Sequence, residues 1–370
     1  MSGAGGSSGA DAGAFHDAAI DQSIGPATRA FISTGSAMVR SIVIDHGVIY
    51  IGGLFVSSAA TQFPTGIAAL DETTLSNQPA WAPQVFPFVN ALAASDGRLY
   101  ATLDIGNGDL QALDPITGSS TVSLPSAGQA VTALAVGGGT MYFGGIFQTV
   151  GTSPRNAFAA VDATTGALKS WAPNDTYAQG WAMAMAISGN TVFAGGSFTL
   201  SNGSNGTRKY LAAIDATTGA VTTWTPAPNS NVNALAISGN KLYVGGAFST
   251  IAGQPRAQVA VFDLTSGALM PWDPGIVEPA APQVKSIAVQ GNIVYLGGKF
   301  SQVGGQPRGN LAAVDADSAA VLPWSPMTSL SNSDPSAIVT ALAASDTVVA
   351  AGVNGNGAVT GVAFYPPASR

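Results

Sequence analysis

Residues 242–274 read LYVGGAFSTIAGQPRAQVAVFDLTSGALMPWDP. Nearly the same text returns at Val294–Pro326, and in worn form at Met141–Pro173 and Thr191–Pro226. Each copy has four parts. An apolar run such as Val232–Ile237 precedes a Ser-Gly-Asn turn, and a second run ends in Gly-Gly-x-Phe (Gly245, Gly246, Phe248). A loop with Gln-Pro-Arg leads to a third run closed by Asp-x-x-Thr/Ser-Gly (Asp263, Gly267), and a fourth ends in Trp-x-Pro (Trp272, Pro274). Short apolar runs between Gly, Pro and Asn turns predict four short antiparallel strands per copy.

Aligned on the motif V-x-A-L-A, the chain has seven starts, Val39, Val89, Val131, Ala182, Val232, Val284 and Val339, spaced 42 to 55 residues apart. A four-stranded sheet of this size cannot bury both faces alone, so the copies are expected to stack face to face around an axis. The fold class expected is therefore all-β, a seven-bladed β-propeller of four-stranded antiparallel blades. Burial on both faces explains why the first run is almost wholly apolar where a half-exposed strand would alternate. The Gly-Gly pair lets neighbouring backbones approach closely. The last unit stops after its third run, Val359–Tyr365, without Trp-x-Pro. Thr28–Thr34, TRAFIST, precedes the first unit in the register of an outer strand, so the N-terminal strand is expected to close the ring. Residues 27–370 then form one propeller domain.

Charged residues are 9% of the chain, against roughly 25% in ordinary soluble domains. No helical apolar stripe of useful length is present. The net charge is -7 and no Lys/Arg cluster occurs, which argues against nucleic acid and anionic membranes as partners. No run reaches the roughly 18 apolar residues of a membrane span, so no direct membrane insertion is expected. The absence of Cys removes disulfide and thiolate chemistry. Residues 1–26, rich in Gly, Ser and Ala, read as a flexible linker. They resemble the tether that follows the lipidated cysteine of some bacterial surface lipoproteins; the alternative is a cytoplasmic tail.

The units resemble those of the bacterial delta-60-type repeat propeller, LYVGGxFxxVGGQxRxxLAAxDxxTGxxxxWxP, over most of Val39–Pro367. The resemblance implies a secreted or surface-anchored propeller, often part of adhesion-like proteins, and implies no reaction. A weaker similarity is to quinoprotein-type propeller repeats: Ala159–Trp171, AAVDATTGALKSW, is close to their tryptophan-docking motif A-x-D-x-x-x-G-x-x-x-W. Here Trp falls five residues after Gly166, not four, which reverses the side-chain face on a strand. No basic cluster is present to hold an anionic quinone, and no organic cofactor is expected.

Strand parity sorts the loops onto two faces. The first face carries the turns between strands one and two and between strands three and four. There, Asp114, Asp162, Asp215, Asp263 and Asp315 are expected to cap their own turns, a ring of calcium ligands being the alternative. Asp71 begins a similar turn in which Leu75 replaces Gly. The second face carries the second-to-third loops, with Arg155, Arg208, Arg256 and Arg308, and the blade exits, near which Trp81, Trp171, Trp224, Trp272 and Trp324 are expected. Repetition marks both sets as blade-locking groups, by packing or cation–π contact, with recognition of an extended ligand as their other use.

Departures from the template are better site candidates. Unit 2 lacks Gly-Gly-x-Phe and puts Asp104 and Asp109 in a short loop, with Ser123-Leu124-Pro125 in place of Trp-x-Pro. Connections on the same face carry Asp175, Tyr177 and Trp181, then Glu278, then Asp334. Aromatics beside carboxylates suit a sugar, whose C–H face stacks while its hydroxyls bond Asp and Asn. A peptide or surface protein would be served as well. The expectation is an extracytoplasmic binding propeller, monomeric, whose partner is a glycan, peptide or surface protein. The alternative is a carboxylate-dependent enzyme acting on a polysaccharide or secondary metabolite through two of Asp104, Asp175, Glu278 and Asp334. His16 lies in the tail and His46 in a first-face turn, which leaves no Ser/His/Asp triad or histidine metal site.

Overall fold

A computed structural model describes residues 29–32, 38–55, 66–84, 88–104, 108–173, 180–201, 206–278, 280–326, 336–355 and 361–369. The expected linker, residues 1–26, lies outside them. Every regular element among the described residues is a strand, and every strand pairing is antiparallel. Each unit contributes one meander. In unit 5, for example, Val232–Ser238 pairs with Lys241–Gly246, which pairs with Val259–Asp263.

The outer strand departs from expectation. In units 1, 3, 4, 5 and 6 it is a single bridge, such as Val161 to Leu168 or Phe262 to Leu269. Only unit 2 has a longer one of its own, Ser120–Val122. The physical reason is the Trp-x-Pro segment: proline has no N–H to give a ladder, and the repeated arginine takes up a carbonyl instead. Arg155, Arg256 and Arg308 donate through Nη2 to the carbonyls of Lys169, Met270 and Leu322 at 2.8, 3.0 and 2.8 Å. Arg208 reaches Thr222 and Trp224 in the same way, each at 2.8 Å. In unit 7, Arg29–Ile32 pairs with Gly361–Tyr365, in the register Arg29 to Phe364 through Ile32 to Gly361.

Burial occurs between units. Among the described residues the core divides into seven clusters, each drawn from two consecutive units except one that joins unit 7 to unit 1. That one sets Val39, Ile51 and Leu70 against Ala350, Val362 and Phe364. The first glycine of each Gly-Gly pair explains the close approach. A Cβ on Gly245 would stand 2.6 Å from Val284 Cγ1 of unit 6, and one on Gly352, the single glycine at that position in unit 7, would stand 2.5 Å from Val39 Cγ1 of unit 1.

On the first face, each Asp turn closes itself. Asp162 Oδ1 accepts from the backbone N–H groups of Thr164 and Thr165 at 3.0 and 2.8 Å, and from the Thr165 hydroxyl at 3.0 Å. The same three bonds recur at Asp114, Asp215, Asp263 and Asp315. These donors favour the ionised form, so Asp71, Asp114, Asp162, Asp215 and Asp263 titrate below the usual carboxylate range. Among the described residues no three His, Asp or Glu side chains gather to hold a metal ion.

Candidate functional site

The second residue of V-x-A-L-A decides the geometry at the centre. Register slips there in every unit: Val39 and Ser41 pair with consecutive residues of the second strand, as do Val89 and Ala91, and so on through Val339 and Ala341. The skipped residue is a β-bulge, left out of the ladder and turned away from the alternation of its neighbours. Seven such residues line up where the first strands meet: Arg40, Asn90, Thr132, Met183, Asn233, Lys285 and Thr340. Four latch onto the next unit. Asn90 and Asn233 donate to the carbonyls of Val131 and Val284 at 3.2 and 3.1 Å, and Thr340 to that of Val39 at 2.8 Å. Thr132 donates to the carbonyl of Ala182.

The two charged members have a different setting. The Arg40 guanidinium carbon lies 5.3 Å from the centre of the Phe88 ring, within cation–π range. Burial lowers the pKa of Arg40, and the negative charge of Asp104 opposes that shift. Burial, then the positive charge of Arg40, lowers the pKa of Lys285. Arg40 is solvent-exposed and Lys285 partly so. Arg40 of unit 1 thus lies within electrostatic reach of Asp104 of unit 2 and of Lys285 of unit 6. Among the described residues neither cation has a hydrogen bond or ion pair.

Of the residues singled out in the sequence, Asp104 stands beside Phe88, its N–H bonded to the Phe88 carbonyl at 3.0 Å. Asp109, across the same short loop, accepts from the Leu103 N–H at 2.8 Å through its backbone. Trp181 is 52% exposed, and its N–H is bonded to Ser197 Oγ at 3.1 Å. Glu278 is half-buried beside Val277, in a strand Ile276–Val277 that pairs with Gln302–Val303. Among the described residues no hydrogen bond joins the side chains of Asp104, Asp109, Trp181 and Glu278 to one another. Asp175, Tyr177 and Asp334 lie outside the described residues. Sequence reasoning missed Arg40 and Lys285, because they sit inside runs that are otherwise apolar; the signal was that only the second motif position changes character from unit to unit.

The repeated residues have other duties. Arg155, Arg208, Arg256 and Arg308 clamp the outer segments of their own units, and Arg208 and Arg308 are buried. The tryptophans are a correction: they reach the first face, not the second. Indole N–H groups of Trp171 and Trp272 donate to the backbone carbonyls of Asp215 and Asp315 in the next unit at 2.9 and 3.0 Å. Trp224 reaches Gly267 at 2.9 Å and Trp324 reaches Pro366 at 3.0 Å. Tyr142 joins the lock, donating to Ala216 at 2.9 Å while its ring meets Trp171 edge-on at 5.0 Å between centroids.

A cleft of about 480 Å³ opens between units 3 and 4 on that first face, where Gly137 and Gly138 carry no side chains. Its polar lining is spent on packing. Asn190 Nδ2 donates to Asp215 Oδ2 at 2.7 Å, Thr217 Oγ1 to Asn190 Oδ1 at 2.8 Å, and Lys169 Nζ to Thr140 Oγ1 at 2.8 Å.

Solved structures with this architecture decide the fold. The WD40 domain of Neurospora crassa Pan2 superposes with a TM-score of 0.54 over 90% of each chain at 12% identity. The fold is a β-propeller. The computationally designed Ika8 protein matches with a TM-score of 0.56 and 17% identity, over 92% of this chain and 100% of its own. At such identities the likeness concerns the fold alone. No family model and no curated protein matches the chain.

Proposed function

We propose that this chain is a closed, seven-bladed propeller of the delta-60-repeat type that works as an extracytoplasmic binding module. Its ligand sits on the second face, around the mouth of the central channel. Support for the closed ring comes from the core shared by units 7 and 1, from Arg29–Ile32 as outer strand of the last unit, and from the Thr340-to-Val39 latch. Further support is the acceptance by Glu72 of hydrogen bonds from the Ser345 and Thr347 hydroxyls.

One observation carries the functional reading. The repeated polar side chains are consumed in structural bonds, turn Asp and loop Arg within their own unit and outer Trp to the next. The unrepeated Arg40 lies within electrostatic reach of Asp104 and Lys285, with the cations unspent. Scaffold and recognition are thereby separated, as in other rigid folds that carry function on irregular positions. Trp181, half-exposed on the same face, offers a platform for a sugar ring. A glycan of a cell surface or matrix is the ligand class that uses platform, carboxylate and amides together. The acid–base alternative would need two carboxylates placed together, and it has less support than binding.

The test is calorimetric titration of the purified chain with neutral and uronic oligosaccharides. Saturable binding that weakens in steps in Trp181→Ala and Asp104→Asn supports the module. Product release from any oligosaccharide, abolished in Asp104→Asn or Glu278→Gln, would replace it with the enzyme.

A further inference from the structure

We infer that Arg40 and Lys285 form the anchor for one carboxylate of an acidic sugar, held at the channel mouth with Asp104 facing the adjacent hydroxyls. This inference rests on the binding reading above and deepens it by naming the ligand class. The geometry comes from the bulges. A residue skipped by the ladder leaves the stacked sheets free and turns toward the centre, as the Asn90, Thr132, Asn233 and Thr340 latches demonstrate for four positions of seven. Arg40 and Lys285 occupy two of the remaining positions, on units 1 and 6, which are separated by unit 7. The first strands of units 1 and 6 both pack against the first strand of unit 7, so the two skipped residues stand at corresponding positions on either side of it.

Two cations brought together without an ion pair repel, and a propeller needs neither for its core. The third unlatched position, Met183, demonstrates that an uncharged residue is tolerated there. An anion between Arg40 and Lys285 converts the repulsion into two charge-assisted contacts. The charge count selects its valence. Two positive groups and Asp104 leave one net positive charge, which suits a monoanionic carboxylate better than a phosphate dianion.

Asp104 narrows the class further. A carboxylate acceptor near the bound anion is repelled unless the ligand also presents donors, and a terminal uronic acid carries a hydroxyl on the one ring carbon next to its carboxylate-bearing carbon and others beyond it. Phe88 packs against Arg40 and holds the guanidinium plane in place. It also adds an apolar surface beside the site. A peptide C-terminus offers the carboxylate with far fewer donors for Asp104.

The experiment is titration of the whole chain with glucuronate oligomers, glucose oligomers of equal length, acetate, inorganic phosphate, and a short peptide with a free or amidated C-terminus. Glucuronate oligomers are expected to bind at least tenfold more tightly than the glucose series. That preference should vanish in Arg40→Gln and Lys285→Gln, survive in Arg40→Lys and Lys285→Arg, and be unchanged in Arg98→Gln, which removes a cation beside a first-face turn. Thermal unfolding of each variant establishes that it is folded, and the charge-retaining pair keeps the comparison valid if a glutamine variant is not. Equal binding of glucuronate and glucose series overturns the anchor but leaves the binding module standing, particularly if Trp181→Ala weakens both. Tighter binding of phosphate or of the free C-terminal peptide than of glucuronate overturns the sugar acid. Absence of binding to any glycan overturns the anchor together with the reading on which it rests.

Discussion

Gly352 and Val39 belong to the last and first units, and their contact can be read as an energy. Gly352 has no left-handed backbone requirement, so alanine changes only the space beside it. Its Cβ would stand 2.5 Å from Val39 Cγ1, 2.8 Å from Val39 Cβ and 3.2 Å from Ala341 Cβ. Those neighbours are held on strand backbones in a full core, Val39 being 2% exposed. Gly352→Ala is therefore expected to cost about 1–3 kcal/mol by overpacking. Val39→Ala removes two buried methyl groups, worth roughly 0.8 kcal/mol each plus a cavity contribution, about 2–3 kcal/mol together. In the double variant the 2.5 Å clash is gone and the 2.8 Å approach to the Cβ of residue 39 remains, so the strain is relieved in part. That variant should be destabilised by about 2 kcal/mol, well short of the sum, with a coupling of about 2 kcal/mol. Urea unfolding followed by tryptophan fluorescence measures all three. Strict additivity, within about 0.5 kcal/mol, would mean that unit 7 does not pack on unit 1 in solution and would refute the closed ring.

Three further outcomes follow from the same geometry. Ala252 and Gly253 both have positive φ, 51° and 72°, in the two-residue turn between Thr250–Ile251 and Gln254–Pro255, so Ala252→Asn should stabilise the chain by about 0.5–1 kcal/mol, read as a raised Tm. Trp272→Phe leaves the Asp315 carbonyl without its 3.0 Å donor, whereas Trp81 has a buried Nε1 with no partner to lose; the first substitution should cost about 1–2 kcal/mol more than Trp81→Phe in urea unfolding. Stability should also fall at both ends of the pH range. Burial pushes Tyr50 and Tyr243 up to about 12 in the folded chain, against 10.0 when unfolded. The unfolded state therefore loses its protons first, and stability drops between about pH 10 and 12. The turn aspartates titrate below 3.8 when folded, so their contribution is present above that pH and is lost as pH falls through their folded values. A Tm profile flat through pH 9–12 would contradict the buried phenols.

Much of this fold was legible because propellers write the same physics many times. Gly245, Asp263 and Trp272 recur in one order, and each has one local job: close approach, turn closure, lock on the next unit. The position of Arg29–Ile32 could also be read, since a missing outer strand at one end and a spare strand at the other are visible without coordinates. The faces of the tryptophans were not legible. Assigning them required knowing that the outer strand shrinks to one bridge, which brings Trp171 back toward the Asp215 turn. Nor was the setting of Arg40 and Lys285 legible. A strand pattern of period two assumes an unbroken ladder, and one skipped residue sends Arg40 and Lys285 to a place that alternation does not predict. Those two residues also lie far apart in the chain, and only stacking of the units brings them within reach of each other.

The central claim is that unrepeated residues at the second-face mouth bind, while repeated residues build. Its most direct measurement is the footprint of a glucuronate oligomer on the whole chain, mapped by backbone amide chemical-shift changes. The account predicts the largest changes around Arg40, Phe88, Asp104, Trp181 and Lys285, with none at the first-face turns. Shifts centred on Thr164–Gly166 and Thr217–Gly219, or no shift anywhere at saturating oligomer, would contradict it.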